Sequence, residues 1–149
     1  MARTAAAGVP LDEFLTYRLH LVSKLTDRQS GAAYAQAFGL PVGEARCLAA
    51  IGNFAPLSVV DLAARANLDK GQASRAAQAL AGRGLVEKSA SETDGRGIVL
   101  QPTAQGVRLW RRVMALIALR NEEIFGCLSA AERRQLASML DRVIERARA

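Results

Sequence analysis

The stretch from Ser58 to Ser89, SVVDLAARANLDKGQASRAAQALAGRGLVEKS, continued by SETDGRGIVLQPTAQG over 91–106, decides the fold. Ser58 followed three residues later by Asp61 marks a helix start, because each side chain can satisfy a backbone N–H that the first turn leaves unpaired. The helix runs over Val59–Ala66 and stops at Asn67-Leu68. Asp69 then caps a second helix, with Gln72 at the matching third position. Two capped helices joined by a short turn form a helix-turn-helix. At 100° per residue, Ala73, Ala76, Ala77 and Leu80 fall on one side of the second helix, whereas Gly71, Ser74, Arg75 and Gln78 fall on the other, with Gln72 at the edge. A buried face made almost wholly of alanine lets this helix lie close to its neighbour and turn its polar face outward. Gly82 and Gly84 end it.

Working outward, Leu85–Lys88 and Ile98–Gln101 read as strands around the polar, glycine-containing loop Ser89–Gly97. Thr103 caps a long amphipathic helix reaching about residue 125, apolar at Leu109, Trp110, Val113, Met114, Ile117 and Leu119. The Ser129/Glu132 capping box opens a last helix to about Arg148, with Leu136, Met139, Leu140, Val143 and Ile144 on one side. Upstream, residues 1–10 are expected to be disordered. Leu11, Phe14, Leu15, Leu19, Val22 and Leu25 predict a first helix to about Arg28, followed by a separate helical piece from Ser30 to Phe38. The break Gly39-Leu40-Pro41 precedes another helix over 42–51. The expected fold is mainly α with a small β-hairpin wing, a winged helix-turn-helix. It forms one domain over 11–149, with a reading unit at 42–102 and dimerisation helices at 11–38 and 103–148. The terminal helices carry more apolar surface than a core this small can cover, so dimerisation is expected to supply the missing partner surface.

Composition narrows the function. The chain has 149 residues, is 50% hydrophobic but only 5% aromatic, and carries a formal net charge of +6. That charge suits a polyanionic partner. Residues 101–120 supply +4 of that net charge, since Arg108, Arg111, Arg112 and Arg120 occur there with no acid. The unit 58–100 has six basic and five acidic residues, a net of +1, so its binding must rest on placed contacts more than on bulk field. Two cysteines, Cys47 and Cys127, and one histidine give neither a disulfide framework nor metal-ligand spacing. There is no glycine-rich phosphate loop and no nucleophile–base pairing, which argues against an enzyme; no cofactor is expected. The longest apolar run, Val113–Leu119, is too short to span a membrane, and the N-terminus lacks a signal-peptide core, so the expectation is a cytoplasmic protein.

The polar face of the second helix has the chemistry of a groove reader. Arg75 can bond guanine bidentately, and Gln72 and Gln78 can address base edges. Lys70, Ser74 and the backbone N–H groups at the helix start can hold phosphates. Arg96 in the hairpin loop suits a minor groove, whose negative potential attracts guanidinium, and Asp94 can steady it through an ion pair. Lys88 and Arg83 flank the unit, placed for phosphates or as plain surface charge. An ordinary solvated helix face is the competing account of these residues.

Over about Leu11–Arg148 the chain resembles the MarR family of transcriptional regulators. The likeness rests on LDKGQASRAAQALAGRGLVEK, on the Asp94-Gly95-Arg96 wing motif, and on Thr103-Ala104-Gln105-Gly106 opening the long helix. It departs at Gly95, where a further wing arginine is common, and at Pro102, where leucine is usual. The resemblance implies an intertwined helical homodimer, built from the first, fifth and sixth helices, on a pseudo-palindromic double-stranded DNA operator with half-sites about one helical turn apart. It further implies repression relieved by a small aromatic or phenolic effector bound between the dimer core and the reading unit. Tyr17, Arg18, His20, Tyr34 and Arg46 are the effector-site candidates, combining aromatic surface with cationic or switchable groups. Two other readings stay open on the sequence: a winged-helix protein-interaction module, and a DNA-binding regulator without a small-molecule ligand.

Overall fold

The computed structural model describes residues 8–91 and 97–149. After a 3-10 turn at Leu11–Glu13 come α1 (Leu15–Phe38), α2 (Val42–Phe54), α3 (Val59–Ala66) and α4 (Lys70–Gly82), then the strands β1 (Val86–Ala90) and β2 (Ile98–Pro102), and last α5 (Ala104–Phe125) and α6 (Ala130–Arg148). No helix among the described residues is long and apolar enough to cross a membrane. The chain divides into two compact units, Met1–Met114 and Ala115–Ala149, with the division falling inside α5.

The first helix differs from the sequence reading in two ways. It starts at Leu15, because Phe14 is extended (φ −72°, ψ 141°) and separates the 3-10 turn from it. It then continues without a break through residues 28–31, where two pieces were expected. The polar run Asp27–Ser30 interrupts the apolar period but contains no proline, and a helical glycine such as Gly31 costs only about 1 kcal/mol against alanine. The helix stops where a residue adopts the left-handed conformation: Gly39 has φ +63° and donates its N–H to the Ala35 carbonyl.

The helix-turn-helix forms as its caps predict. Ser58 accepts from the Asp61 N–H at 3.1 Å, and Asn67 ends α3 at φ +56°. At α4 the capping box is complete: Asp69 Oδ1 accepts from the Gln72 N–H at 2.7 Å, and Gln72 Oε1 accepts from the Asp69 N–H at 3.1 Å. The helix closes through Gly84 (φ +74°), with the Gly84 N–H bonded to the Ala81 carbonyl and the Leu85 N–H to the Leu80 carbonyl. This double closure satisfies carbonyls that the last turn would leave orphaned, and it turns the chain directly into β1.

The hairpin is antiparallel, with Val86 opposite Pro102, Lys88 opposite Leu100 and Ala90 opposite Ile98. Leu57, just before α3, adds a one-residue bridge to Leu100, exchanging both backbone hydrogen bonds with it (2.8 and 3.4 Å). The sheet is thereby tied to the start of the helix-turn-helix. Thr103 links the next element: its hydroxyl donates to the Gly84 carbonyl at 2.7 Å and accepts from the Gly106 N–H at 3.0 Å. Gly106 is obligatory here, because a Cβ would run into the Leu85 carbonyl oxygen.

The core of the first unit is Leu40, Leu48, Ile51, Leu62, Leu80, Leu100 and Val113, all essentially inaccessible to solvent. Ala73, Ala76 and Ala77 join Leu80 on the buried side of α4, the face that the helical spacing predicts. Gly52 of α2 lies against the Trp110 indole, leaving no room for a methyl group. In the second unit the end of α5 turns at Gly126 and Cys127 into α6, whose Ser129/Glu132 capping box is complete. Arg133 donates to Glu122 at 2.7 Å across that turn.

Candidate nucleic-acid interface

The face of α4 opposite its alanine stripe presents Lys70, Gly71, Gln72, Ser74, Arg75 and Gln78, all exposed. Its geometry follows from two local decisions in the sequence: a capping box that fixes the first turn, and small buried residues that let α4 lie close to α2 and α3. The capping box also limits one side chain. Gln72 Oε1 already accepts the Asp69 N–H, so its Nε2 group is left as the part that can donate outward. A two-point contact to adenine needs both ends of the amide, so Gln78 is the better placed glutamine for it. The Arg75 guanidinium lies back over the first turn of α4, close to Gly71: a Cβ there would sit 3.3 Å from Arg75 Nη1 and 3.3 Å from Asp69 Oδ1.

Lys88 is exposed on β1. Asp94 and Arg96, expected in the wing, lie outside the described residues. Within the described part, the Ser91 N–H donates to the Gly97 carbonyl at 2.8 Å, which closes the hairpin on either side of them.

Arg83 is engaged with protein. From the C-cap of α4 its Nη1 donates to the Gly39 carbonyl at 3.2 Å and its Nη2 to the Phe38 carbonyl at 3.5 Å, both at the end of α1. The Arg112 guanidinium from α5 lies 5.2 Å from the centre of the Phe38 ring. Sequence patterning could not reveal these contacts, since carbonyl acceptors carry no residue identity.

The effector-site candidates are spread along the first unit. Tyr17, Arg18 and His20 are exposed near the start of α1, and Tyr34 is buried near its end. Tyr17 and Tyr34 are 17 residues apart on one helix, about 26 Å at 1.5 Å per residue, so they cannot share a small ligand within one protomer. Arg46 stands on α2 and forms an ion pair with Asp27 of α1. It borders two open clefts. One, about 530 Å³, runs between the start of α2 and α4 and includes Gln72 and Arg75. The other, about 480 Å³, is lined by Ser23, Asp27, Arg65 and Asn67. Neither cleft includes the other four candidates. Arg65 is itself stacked on Phe54, 4.3 Å from the ring centre.

The two cysteines differ in character. Cys47 is fully buried, and burial, with the Glu44 carboxylate as the lesser cause, pushes its thiol up to about 11. Cys127 is exposed, and neither is in a disulfide. Among the described residues, no three His, Cys, Asp or Glu side chains are grouped to hold a metal ion.

The capped helix pair, the β1–β2 hairpin and the Leu57 bridge that ties them together define a winged helix-turn-helix protein. The family model described as the MarR family matches residues 38–97, from the end of α1 to the hairpin. Solved structures extend the likeness to nearly the whole chain. A MarR/EmrR family transcriptional regulator from Acinetobacter sp. ADP1 has a TM-score of 0.85 at 22% identity, covering 93% of this chain and 98% of its own. A MarR family transcriptional regulator from Silicibacter pomeroyi gives 0.83 at 23% identity, covering 93% and 94%. A Mycobacterium tuberculosis MarR family protein, solved in complex with salicylic acid, gives 0.71 at 26% identity, covering 93% and 98%. No curated protein matches the chain in sequence. The fold is thus that of a winged helix-turn-helix protein, and the middle of the chain, residues 38–97, matches the MarR family model.

Proposed function

We propose that this protein is a sequence-specific, double-stranded-DNA-binding transcriptional regulator that acts as a homodimer and represses its targets until a small aromatic or phenolic acid releases it. The observation that carries this reading is the exposed polar face of α4, backed by alanine and fixed at its start by a complete capping box. Arg75 and Gln78 read base edges, Lys70 and Ser74 hold phosphates, and Gln72 serves mainly as cap, with its Nε2 group as a spare donor. Lys88 and Arg96 add backbone and minor-groove contacts, with Asp94 orienting Arg96. The apolar stripes on α1 and α6, exposed in a single chain, supply the dimer surface.

The effector class is supported by the salicylic acid bound to the Mycobacterium tuberculosis relative. Of the five candidate residues, Arg46 is the one in a cleft next to α4, where a carboxylate could compete with Asp27 for its guanidinium. Tyr17, Arg18, His20 and Tyr34 can contribute only where a second chain closes a pocket over α1.

The test is binding to duplex DNA as a function of salt. A regulator of this kind binds random duplex weakly, with log K falling linearly against log salt, and protects a pseudo-palindrome in footprints upstream of its own gene. Absence of binding at low salt would favour a protein-interaction module instead. Release of a footprinted duplex by salicylate, but not by benzyl alcohol, would establish the acid effector.

A further inference from the structure

Arg83 occupies a place that surface charge alone does not explain. It caps α4 with its own backbone, donating its N–H to the Ala79 and Ala81 carbonyls. Its side chain crosses to the end of α1 and donates to two successive carbonyls there, those of Phe38 and Gly39, 45 and 44 residues away in sequence. Those carbonyls belong to the last turn of a 24-residue helix, where backbone acceptors have no intrahelical partner and the negative end of the helix dipole is concentrated. A guanidinium is the natural group for that position: it is always charged, and its planar fork can serve two acceptors at once. Arg112 of α5 approaches the same turn through the Phe38 ring. Three helices of the first unit therefore meet at the end of α1, and Arg83 makes a contact between α1 and α4 there.

We infer that Arg83 is a positioning residue: it sets the DNA-reading helix against the end of the first helix and does not contact DNA phosphate. This rests on the reading of α4 as the groove-facing element. Exposed charges of this kind contribute little to overall stability, so the consequence is geometric. The end of α4 is registered to α1, and α1 carries the apolar stripe through which a second chain would be held. Any change in the set of α1 is then passed to the orientation of the reading face.

The experiment uses the full-length chain, its Arg83→Ala and Arg83→Lys variants, a duplex selected in vitro for tight binding, and a random duplex of equal length. Affinities are measured between about 50 and 200 mM salt, with the active fraction determined by titration. A positioning role predicts that Arg83→Ala binds the selected duplex about 5- to 20-fold more weakly, a loss of about 1–2 kcal/mol, while random-duplex affinity and salt slope stay at parental values. Arg83→Lys, which keeps the charge but loses the fork, recovers only part of the loss. A phosphate contact predicts instead that both duplexes weaken, that the slope becomes shallower by about one unit per contact, and that lysine restores binding in full. That pattern, or parental affinity on both duplexes, overturns the inference. Amide hydrogen exchange supplies a readout independent of DNA: in Arg83→Ala, residues 35–39 and 79–84 should exchange faster together, while α3 is unchanged. If the parent itself binds no DNA, the regulator reading fails. Unchanged exchange at both helix ends would then refute the link between α1 and α4 as well.

Discussion

Removing the Arg75 guanidinium is expected to cost binding to a selected operator about 1–3 kcal/mol and to relax base preference at the position it reads. Arg96→Ala should weaken binding more evenly across sequences, as loss of a groove-potential contact does. Titrating each variant against a panel of single-base operator changes separates these outcomes; parental binding by both would remove α4 and the wing from the reading surface. Cys47 gives a prediction with a defined sign. Its folded thiol is pushed up to about 11 from an ordinary value of 9.0, so it favours the neutral form that burial demands. The stabilisation this represents is complete below pH 9, where the thiol is neutral folded or unfolded. It is lost as pH rises from 9 to 11, because the unfolded thiol ionises first. The urea midpoint of the parent should therefore fall more steeply over that range than that of Cys47→Ala. Equal slopes would show that burial does not control the thiol. Maleimide at neutral pH should label Cys127 alone until the protein is unfolded.

Between α2 and α5, Gly52 faces the Trp110 ring, the chain's single tryptophan. Two effects oppose each other in Gly52→Ala. Helix propensity favours alanine by about 1 kcal/mol, but the new methyl must displace an indole and strain the packing by about 1–3 kcal/mol. The displacement should win, giving a lower Tm and a red-shifted tryptophan emission; an unshifted spectrum with raised Tm would mean the indole swings away freely. The same scale shows what the sequence could and could not tell. Capping boxes at Asp69/Gln72 and Ser129/Glu132 were legible because donor and acceptor lie within one turn, and the alanine face of α4 because its spacing is that of a helix. The unbroken α1 was not, since a solvated polar run imitates a boundary when the apolar period is the only guide. The Leu57–Leu100 bridge and the two carbonyls that Arg83 reaches were also hidden. Both are backbone acceptors brought close by the fold across more than 40 residues.

For the molecule as a whole, the apolar stripes decide the expected assembly. Leu15 is 73% exposed, Leu19 52% and Val143 57%, and in α6 no residue is buried. Lone apolar residues on a surface are ordinary, but stripes of them along both terminal helices are the signature of an interface. Sedimentation at micromolar concentration should give twice the 15.9 kDa chain mass. Leu19→Asp combined with Val22→Asp should shift the protein toward single chains and abolish operator binding while leaving the residual fold helical. A parent that sediments as one chain would refute the homodimer and, with it, the pseudo-palindromic operator. The likeness to MarR-family structures was legible from the helix-turn-helix and long-helix motifs. How the five effector candidates are distributed was not legible, because spacing along one helix says nothing of what other elements bring near; Tyr17 and Tyr34 lie too far apart on α1 to cooperate within one chain.

The alanine backing of α4 carries a consequence for how this protein can change. Because the inward side is small and uniform, it neither dictates nor feels what stands on the outward side. If α4 reads DNA as proposed, exchanges at 74, 75 and 78 should alter which operators are preferred without disturbing the scaffold, and a library randomised at those three positions should yield folded proteins of many specificities.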